Sequence, residues 1–151
     1  MMVLDGTLEY ARRNDYGIVW KENCNLRHLR EEIAKRKVLV DRYRERLVGI
    51  PGIKLCPENP RVRSNYAYMP VVFDGYKADR DAIFAELAKY NIHARKYFYP
   101  CVNSYECYRD QFDENDTPVA AKISRQVLTL PLYADLELET VDEICDIILG
   151  M

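Results

Sequence analysis

Two short runs of this chain, Asn91–Pro100 and Leu128–Asp135, hold the side chains best suited to binding a polar ligand. The first run and the residues just beyond it crowd together cations and phenols: Arg95, Lys96, Tyr97, Tyr99 and Tyr105. A guanidinium forks onto phosphate oxygens, and a phenol presents both a ring and a hydrogen-bonding hydroxyl. The pattern suggests a site for a phosphate or a sugar hydroxyl. Composition alone favours the alternative, a strand end whose tyrosines pack on a helix.

Cysteines and histidines offer weaker candidates for chemistry. Cys101 and Cys107 lie near Arg95 and Lys96, and a nearby cation lowers a thiol pKa, so either could be reactive. No Cys–His–Asn order supports a nucleophile, and ordinary buried thiols are favoured. A structural role is favoured over a catalytic base for His93. We expect His28 to lie on the surface.

Metal and phosphate motifs are missing from the sequence. The five cysteines have irregular spacing without a C-x-x-C pair, which argues against a zinc site. The acidic stretch Asp110, Asp113, Glu114 and Asp116 lacks the glycine turn of a calcium loop, so a solvated loop is favoured. No glycine-rich phosphate loop occurs, and we predict no metal ligand and no catalytic residue.

Length and composition predict one globular domain. The chain has 151 residues, 48% of them hydrophobic and 30% charged, with a net charge of −2. That charge gives no electrostatic case for nucleic acid. The sequence shows neither a secretory signal nor an apolar run near 20 residues, so we expect no membrane association and a cytoplasmic location with free thiols.

Hydrophobic periodicity predicts an α+β fold: a small antiparallel or mixed sheet of three or four short strands, with helices packed on one side and a long N-terminal helix. The long helix spans about Asn25–Val48, where apolar residues recur at steps of three, four and seven. The predicted strands are Ile53–Cys56, Tyr66–Phe73, Ile92–Tyr97 and Val127–Leu130. Pro70 should place its strand at an edge or create a bulge. A short helix is predicted at Thr7–Asn14, and a helix or turn at Tyr105–Phe112. Asp79 can cap a helix that continues through Tyr90. Two more helices are predicted to start at Thr117-Pro118 and at a capping box, Thr140–Glu143.

Several segments together resemble the DegT/DnrJ/EryC1/StrS aminotransferases, pyridoxal-phosphate enzymes that aminate nucleotide-linked sugars. The similar segments are Asn14–Ile18, the long helix, Tyr66–Val72, Asn91–Pro100, Thr117–Ala120 and Val127–Asp135. The resemblance implies the small C-terminal domain of a fold-type I enzyme. Residues 1–24 would then be a remnant of the large domain and its connection, 25–48 the linking helix, and 49–151 the small domain.

The family's Schiff-base lysine belongs to a large domain that this sequence does not show, and no lysine here has the family's S-x-x-K setting. We therefore expect a truncated nucleotide-sugar aminotransferase that binds no cofactor by itself and is inactive alone. The resemblance implies substrate contacts from Arg95, Tyr97, Tyr99 and Tyr105. It also leaves open a nucleotide-sugar-binding or interaction module that pairs with a separate large-domain chain. Partners would be a nucleotide sugar and a second copy, as a homodimer or domain-swapped oligomer. An aldimine on Lys96 is disfavoured.

Overall fold

The computed structural model describes residues 17–108 and 110–151, and it describes side-chain surroundings from residue 27 onward, residue 114 excepted. The predicted helix at Thr7–Asn14 lies outside these residues. The elements are α1 (Gly17–Leu47), β1 (Ile53–Leu55), β2 (Met69–Phe73), α2 (Arg80–Lys89), α3 (Pro118–Gln126), β3 (Val127–Leu130) and α4 (Leu138–Gly150). Short 3₁₀ turns occupy Val102–Ser104, Glu106–Tyr108 and Glu114–Asp116. In the described part of the chain, no helix has the length and apolarity needed to cross a membrane.

The predicted long helix is confirmed as α1, and it begins at Gly17 rather than near Asn25. From residue 27 onward, only its C-terminal end enters the core, where Leu39, Val40, Tyr43 and Leu47 are buried. The hydroxyl of Tyr43 donates a hydrogen bond to the Pro131 carbonyl at 3.0 Å, which satisfies its one polar group. This end of α1 therefore anchors the helix to the domain.

The sheet has three antiparallel strands in the order β1-β2-β3. Pro70 lies in the central strand and pairs with Thr129 in an uninterrupted register, so the predicted edge position or bulge is wrong. Thr129, which pairs with Pro70, exchanges both backbone hydrogen bonds with Arg95 and therefore turns away from β2. The nitrogen of Pro70 consequently points toward β1, and β1 ends at Leu55, opposite Val71. The proline is tolerated because no donor is needed at that position.

The predicted strand Ile92–Tyr97 is wrong, because only one residue of it pairs with the sheet. Arg95 forms an isolated bridge with Thr129. On one side of it, the Ile92 amide donates to the Leu87 carbonyl at the end of α2. On the other side, the Lys96 carbonyl accepts from the Tyr99 amide in a turn. Turn hydrogen bonds thus use the backbone groups that a longer strand would need.

Helices α1, α2 and α4 complete the α+β fold. Helix α4 packs against α1 and α2, and α2 also contacts β3. The predicted Asp79 cap of α2 is confirmed, since its carboxylate accepts the Ala82 amide at 2.7 Å. The predicted capping box at Thr140–Glu143 is wrong, because α4 begins at Leu138 and Thr140 already lies within it. The predicted buried stripe of α4 is confirmed in full: Val141, Ile144, Cys145 and Ile148.

Candidate functional site

The bridge between Arg95 and Thr129 brings the two polar runs of the sequence together. Beside it lies a cavity of about 330 Å³, which we call the Arg95 cavity. Its polar and aromatic lining comes from three segments of the chain: Tyr68, His93, Arg95, Tyr97, Thr129 and Tyr133. A cation surrounded by phenols and an imidazole can bind an anionic or hydroxylated ligand.

Arg95 and Tyr97 form the polar centre of this cavity. The Arg95 backbone is fixed by its two hydrogen bonds to Thr129, at 2.9 and 2.8 Å. Its Nη1 donates to the Tyr97 hydroxyl at 2.7 Å. The Tyr97 ring is held edge-on by Tyr68 at 5.7 Å and stacks on Phe98 at 5.2 Å between centroids. The Arg95 guanidinium is therefore oriented by the backbone pairing with Thr129 and by the Tyr97 hydroxyl, whose ring packs against Tyr68 and Phe98. Arg95 itself remains exposed.

Tyr99 is held by a different group, the guanidinium of Arg80. Arg80 is only 2% exposed, and its Cζ lies 4.6 Å from the centre of the Tyr99 ring. Its Nη1 donates to the Ser124 carbonyl at 3.1 Å, which links α2 to α3. One face of Tyr99 is thus occupied by a buried cation.

Lys96 points away from the Arg95 cavity. Its Nζ lies 2.5 Å from Asp81 Oδ1 and 4.5 Å from the centre of the Phe84 ring. The hydrogen bond from Lys96 is the main reason that the pKa of Asp81 is lowered. Lys96 and Arg80 together tie the loop that begins at Arg95 to the first turn of α2.

A second, larger opening lies on the other side of Tyr97, and we call it the aromatic groove. It has a volume of about 620 Å³ and an almost entirely apolar lining. Prominent among its lining residues are Phe98, Cys101, Val102, Tyr108, Phe112 and Ile123. Cys101 is buried, whereas Cys107 is exposed. No cluster of three or more potential metal ligands occurs among the described residues.

The structure separates the four predicted contact residues. Arg95 and Tyr97 meet in the Arg95 cavity, Tyr99 stacks on Arg80, and Tyr105 is exposed and lines neither opening. Sequence reasoning passed over Tyr68 and Tyr133, which complete the cavity wall. Tyr133 belonged to the second polar run and could have been chosen on that basis. Nothing local marked Tyr68, because its contact with Tyr97 depends on the tertiary fold.

The described lysines do not fit a pyridoxal-phosphate site. An aldimine lysine must reach into the cavity that holds the cofactor, and no lysine lines the Arg95 cavity or the aromatic groove. Each described lysine amine lies within 4 Å of a carboxylate or a backbone carbonyl: Lys35, Lys37, Lys54, Lys77, Lys89, Lys96 and Lys122.

The fold and the paired polar runs define an α+β domain of the kind found in sugar aminotransferases. The model of the DegT/DnrJ/EryC1/StrS aminotransferase family matches residues 23–149, and the chain belongs to this family. A dTDP-4-amino-4,6-dideoxy-D-glucose transaminase of Escherichia coli is 39% identical over 128 residues, which are 83% of this chain and 34% of that protein. An enzyme of the same description from Shigella dysenteriae is 32% identical over 68% of this chain and 28% of its own length.

Solved structures show the same partial correspondence. DesV of S. venezuelae, in complex with a ketimine intermediate, has a TM-score of 0.77 at 25% identity and covers 85% of this chain. The PLP form of the putative sugar aminotransferase Spr1654 from Streptococcus pneumoniae has a TM-score of 0.74 at 27% identity. This chain covers 34% and 32% of those two proteins, so it spans about a third of the relatives that it matches.

Proposed function

We propose that this chain is the small C-terminal domain of a nucleotide-sugar aminotransferase and that it does not catalyse transamination alone. The observations that carry the proposal are the match of the family model over residues 23–149 and the 39% identity to a dTDP-4-amino-4,6-dideoxy-D-glucose transaminase, of which this chain covers 34%. The second half of the proposal is supported by the linings of the two openings, because an aldimine lysine must face the cavity that holds the cofactor and no described lysine lines either opening.

In this proposal the Arg95 cavity contacts the nucleotide sugar. Arg95 binds a phosphate oxygen, Tyr97 orients the guanidinium, and Tyr68 and Tyr133 offer rings to the sugar or base. Tyr99 and Tyr105, which do not line the Arg95 cavity, remain proposed contacts for a part of the ligand that extends beyond it. The domain would work in the cytoplasm, where nucleotide sugars are made, and would bind a second copy of itself as a homodimer or swapped oligomer.

An alternative function is a binding module that pairs with a separate chain carrying the large domain. The exposed aromatic groove favours this alternative, since an apolar surface of that size suits a protein partner. Mixing the chain with an N-terminal fragment of a relative would test it. Restored transaminase activity would support the alternative, and persistent inactivity of a folded mixture would count against it.

Titration with pyridoxal phosphate tests whether the chain has a cofactor site. We expect weak labelling, scattered over several lysines, after borohydride reduction and peptide mapping by mass spectrometry. Stoichiometric labelling of one lysine at low cofactor concentration, above all Lys96, would overturn the proposal. Lys89→Ala serves as the control, because Lys89 lies on the exposed face of α2 and pairs only with Glu86.

Calorimetric titration with dTDP-glucose tests the Arg95 cavity. Arg95→Ala should weaken binding by at least about tenfold, because a charge-assisted hydrogen bond to phosphate is lost. Arg61→Ala, in an exposed loop, removes the same charge and should leave the affinity unchanged. Equal affinities for wild type and Arg95→Ala would contradict the assigned role.

A further inference from the structure

A further cavity lies between α1 and the loop that joins β1 to β2, residues 56–68, and we call it the loop cavity. It has a volume of about 710 Å³, which is within the range of small-molecule sites. Its apolar lining includes Val40 of α1, Leu55 at the end of β1 and Met69 at the start of β2. Tyr68 lines both this cavity and the Arg95 cavity, so the two openings are neighbours. The loop cavity nevertheless has charged groups of its own.

Arg44 is the charged residue of α1 that lines the loop cavity. Its Nη2 donates to the Cys56 carbonyl at 2.6 Å, which fixes the guanidinium against the loop. Its Nε is buried and has no hydrogen-bond partner. The Glu58 carboxylate lies 3.4 Å from that nitrogen, close enough to offset its charge but not placed to accept a hydrogen bond. Because a buried donor without an acceptor is costly, an oxygen acceptor brought to Arg44 Nε would be bound favourably.

Arg36 repeats this arrangement two turns earlier on α1. The spacing of four residues places Arg36, Val40 and Arg44 on neighbouring turns of one side of the helix. Arg36 Nη2 donates to the Asn65 carbonyl at 3.2 Å, and Asn65 lines the loop cavity. Its Nε is also buried without a hydrogen-bond partner. Two guanidinium groups with an unpaired Nε therefore lie on either side of Val40 along α1.

We propose that the loop cavity binds a small organic anion, an aromatic ring that carries a carboxylate or phosphate group. The oxyanion accepts from Arg44 Nε in place of the Glu58 carboxylate, whose side chain is 61% exposed and can move aside. The ring packs on the apolar lining at Val40, beside the phenols of Tyr66 and Tyr68. Carboxylate and phosphate present the same acceptor oxygens, so both belong to the proposed class. This site lies outside the Arg95 cavity and does not depend on the proposed function.

Titration of the full chain with phenyl phosphate and with phenylacetate, followed through its amide chemical shifts, tests the site. We expect saturable shifts at Val62 and Asn65, which line the loop cavity, and not at His93 and Tyr133, which line only the Arg95 cavity. Saturation by either probe supports the proposal, and saturation by one alone identifies the oxyanion. Inorganic phosphate and benzyl alcohol, which each lack half of the ligand, should bind at least about tenfold more weakly. Shifts confined to the Arg95 cavity, or none at about 10 mM probe, would overturn the proposal.

Two substitutions in the loop cavity should change the affinity for phenyl phosphate in opposite directions. Arg44→Gln removes the cation and should weaken binding at least about tenfold. Glu58→Gln removes the carboxylate that competes with the ligand and should strengthen binding about threefold or more. Arg61→Ala removes a cation from the same loop whose side chain does not line the cavity, and it should leave the affinity unchanged. Because Glu58 is exposed, its variant should fold even if Arg44→Gln does not. Unchanged or weaker binding in Glu58→Gln, or an equal loss in Arg61→Ala and Arg44→Gln, would overturn the proposal.

Discussion

Arg80 shows how a single residue can organise the loop that carries the proposed contacts. Its guanidinium is almost fully buried between the Ser124 carbonyl and the Tyr99 ring. A buried cation is tolerated only when hydrogen bonds and nearby charges replace the lost water, and Asp81 supplies the opposite charge at 2.9 Å. Arg80 therefore fixes Tyr99 relative to α2 and α3.

Removing the Arg80 guanidinium should destabilise the protein. We expect Arg80→Ala to lower the free energy of unfolding by roughly 2–4 kcal/mol, because it leaves a buried carbonyl unpaired and a cavity behind Tyr99. Urea unfolding monitored by circular dichroism measures the loss. Arg61→Ala should change it by less than about 0.5 kcal/mol. A similar stability for the two variants would show that Arg80 contributes little.

The burial of Arg80 could not be predicted from the sequence. A charged residue in the first turn of a helix, beside an Asp cap, usually faces solvent. Its buried position depends on Ser124 and Tyr99, which lie 44 and 19 residues further along the chain. Arg95 and Tyr97 were predictable because their types are unusual within a strand-like run. Their cavity was not, because it needs Tyr68 and Tyr133 from other segments.

At the scale of the elements, the turn before β1 is tightly constrained at Gly52. Gly52 has φ +84°, and a Cβ on it would lie 2.3 Å from the Tyr76 backbone nitrogen. Gly49 has a similar φ of +78°, but no atom lies within 4 Å of its Cβ position. The two glycines share the same backbone preference and differ in available space.

The pair Gly52→Ala and Gly49→Ala separates backbone strain from steric conflict. Gly49→Ala should lower the free energy of unfolding by about 1 kcal/mol, the usual penalty for a residue with a side chain in the left-handed conformation. Gly52→Ala should cost about 2 kcal/mol more, because backbone atoms of Tyr76 must move. Thermal unfolding of both variants checks the order. Equal losses would mean that the turn around Tyr76 relaxes without cost.

Helices α1 and α4 are joined by a cluster of ion pairs centred on Asp142. Its carboxylate accepts from Arg42 Nε and Nη2, at 2.8 and 3.0 Å, and from Arg46 Nη1 at 2.8 Å. The hydrogen bonds from Arg42 are the main reason that the pKa of Asp142 lies below its ordinary value. An acid with a lowered folded-state pKa stabilises the fold when it is ionised.

This cluster predicts how stability depends on pH. The contribution of Asp142 is complete above its unfolded pKa of about 4 and is lost as the pH falls through the lower folded value. We expect the free energy of unfolding to fall below about pH 4 and to fall less steeply in Asp142→Asn. Asp74 and Asp81, whose pKa values are also lowered, account for part of the pH dependence of stability that remains in Asp142→Asn. Glu139→Gln, on the exposed side of α4, is the control, and an unchanged slope in Asp142→Asn would contradict the assignment.

Long periodic elements were predicted correctly, whereas short ones were predicted unevenly: β3 has its predicted bounds, Val127–Leu130, and the predicted strand Ile92–Tyr97 is wrong. The stripes of α1 and α4 identified their helices because burial of one face repeats every three or four residues. The strand at Ile92–Tyr97 and the start of α4 failed for a common reason. Turn bonds around Arg95 and the earlier start at Leu138 depend on neighbouring segments, and local residue preferences do not contain that information.

At the scale of the whole molecule, and among the residues whose burial the structure describes, the core lies C-terminal to Val38. From residue 27 onward, the buried hydrophobic residues begin at Leu39, and α1 first meets distant segments where Lys35 pairs with Asp135 and Arg36 with the Asn65 carbonyl. Residues 27–34 consequently contribute little to the stability of an isolated copy.

A chain that begins at Glu31 should therefore fold as well as the full chain. We expect the urea midpoint to shift by the equivalent of less than about 0.5 kcal/mol. A large loss of stability at low concentration would mean that residues before Glu31 pack on the domain. Hydrogen exchange should give the same division, with slow amides confined to the part of α1 after Val38.

Because α1 is anchored in the core at its C-terminal end, a small change of its angle there moves its other end by a large distance. Gly17 lies about 33 Å from the edge of the core at Leu39, at 1.5 Å per residue. A tilt of the helix axis by about 10° at Leu39 displaces Gly17 by about 6 Å, which exceeds the 5.4 Å rise of about one helical turn. The side chains that set the angle, Tyr43 and Leu47, are fully buried and lie far from the tip. A small change in packing around Tyr43 therefore changes the direction of the whole helix.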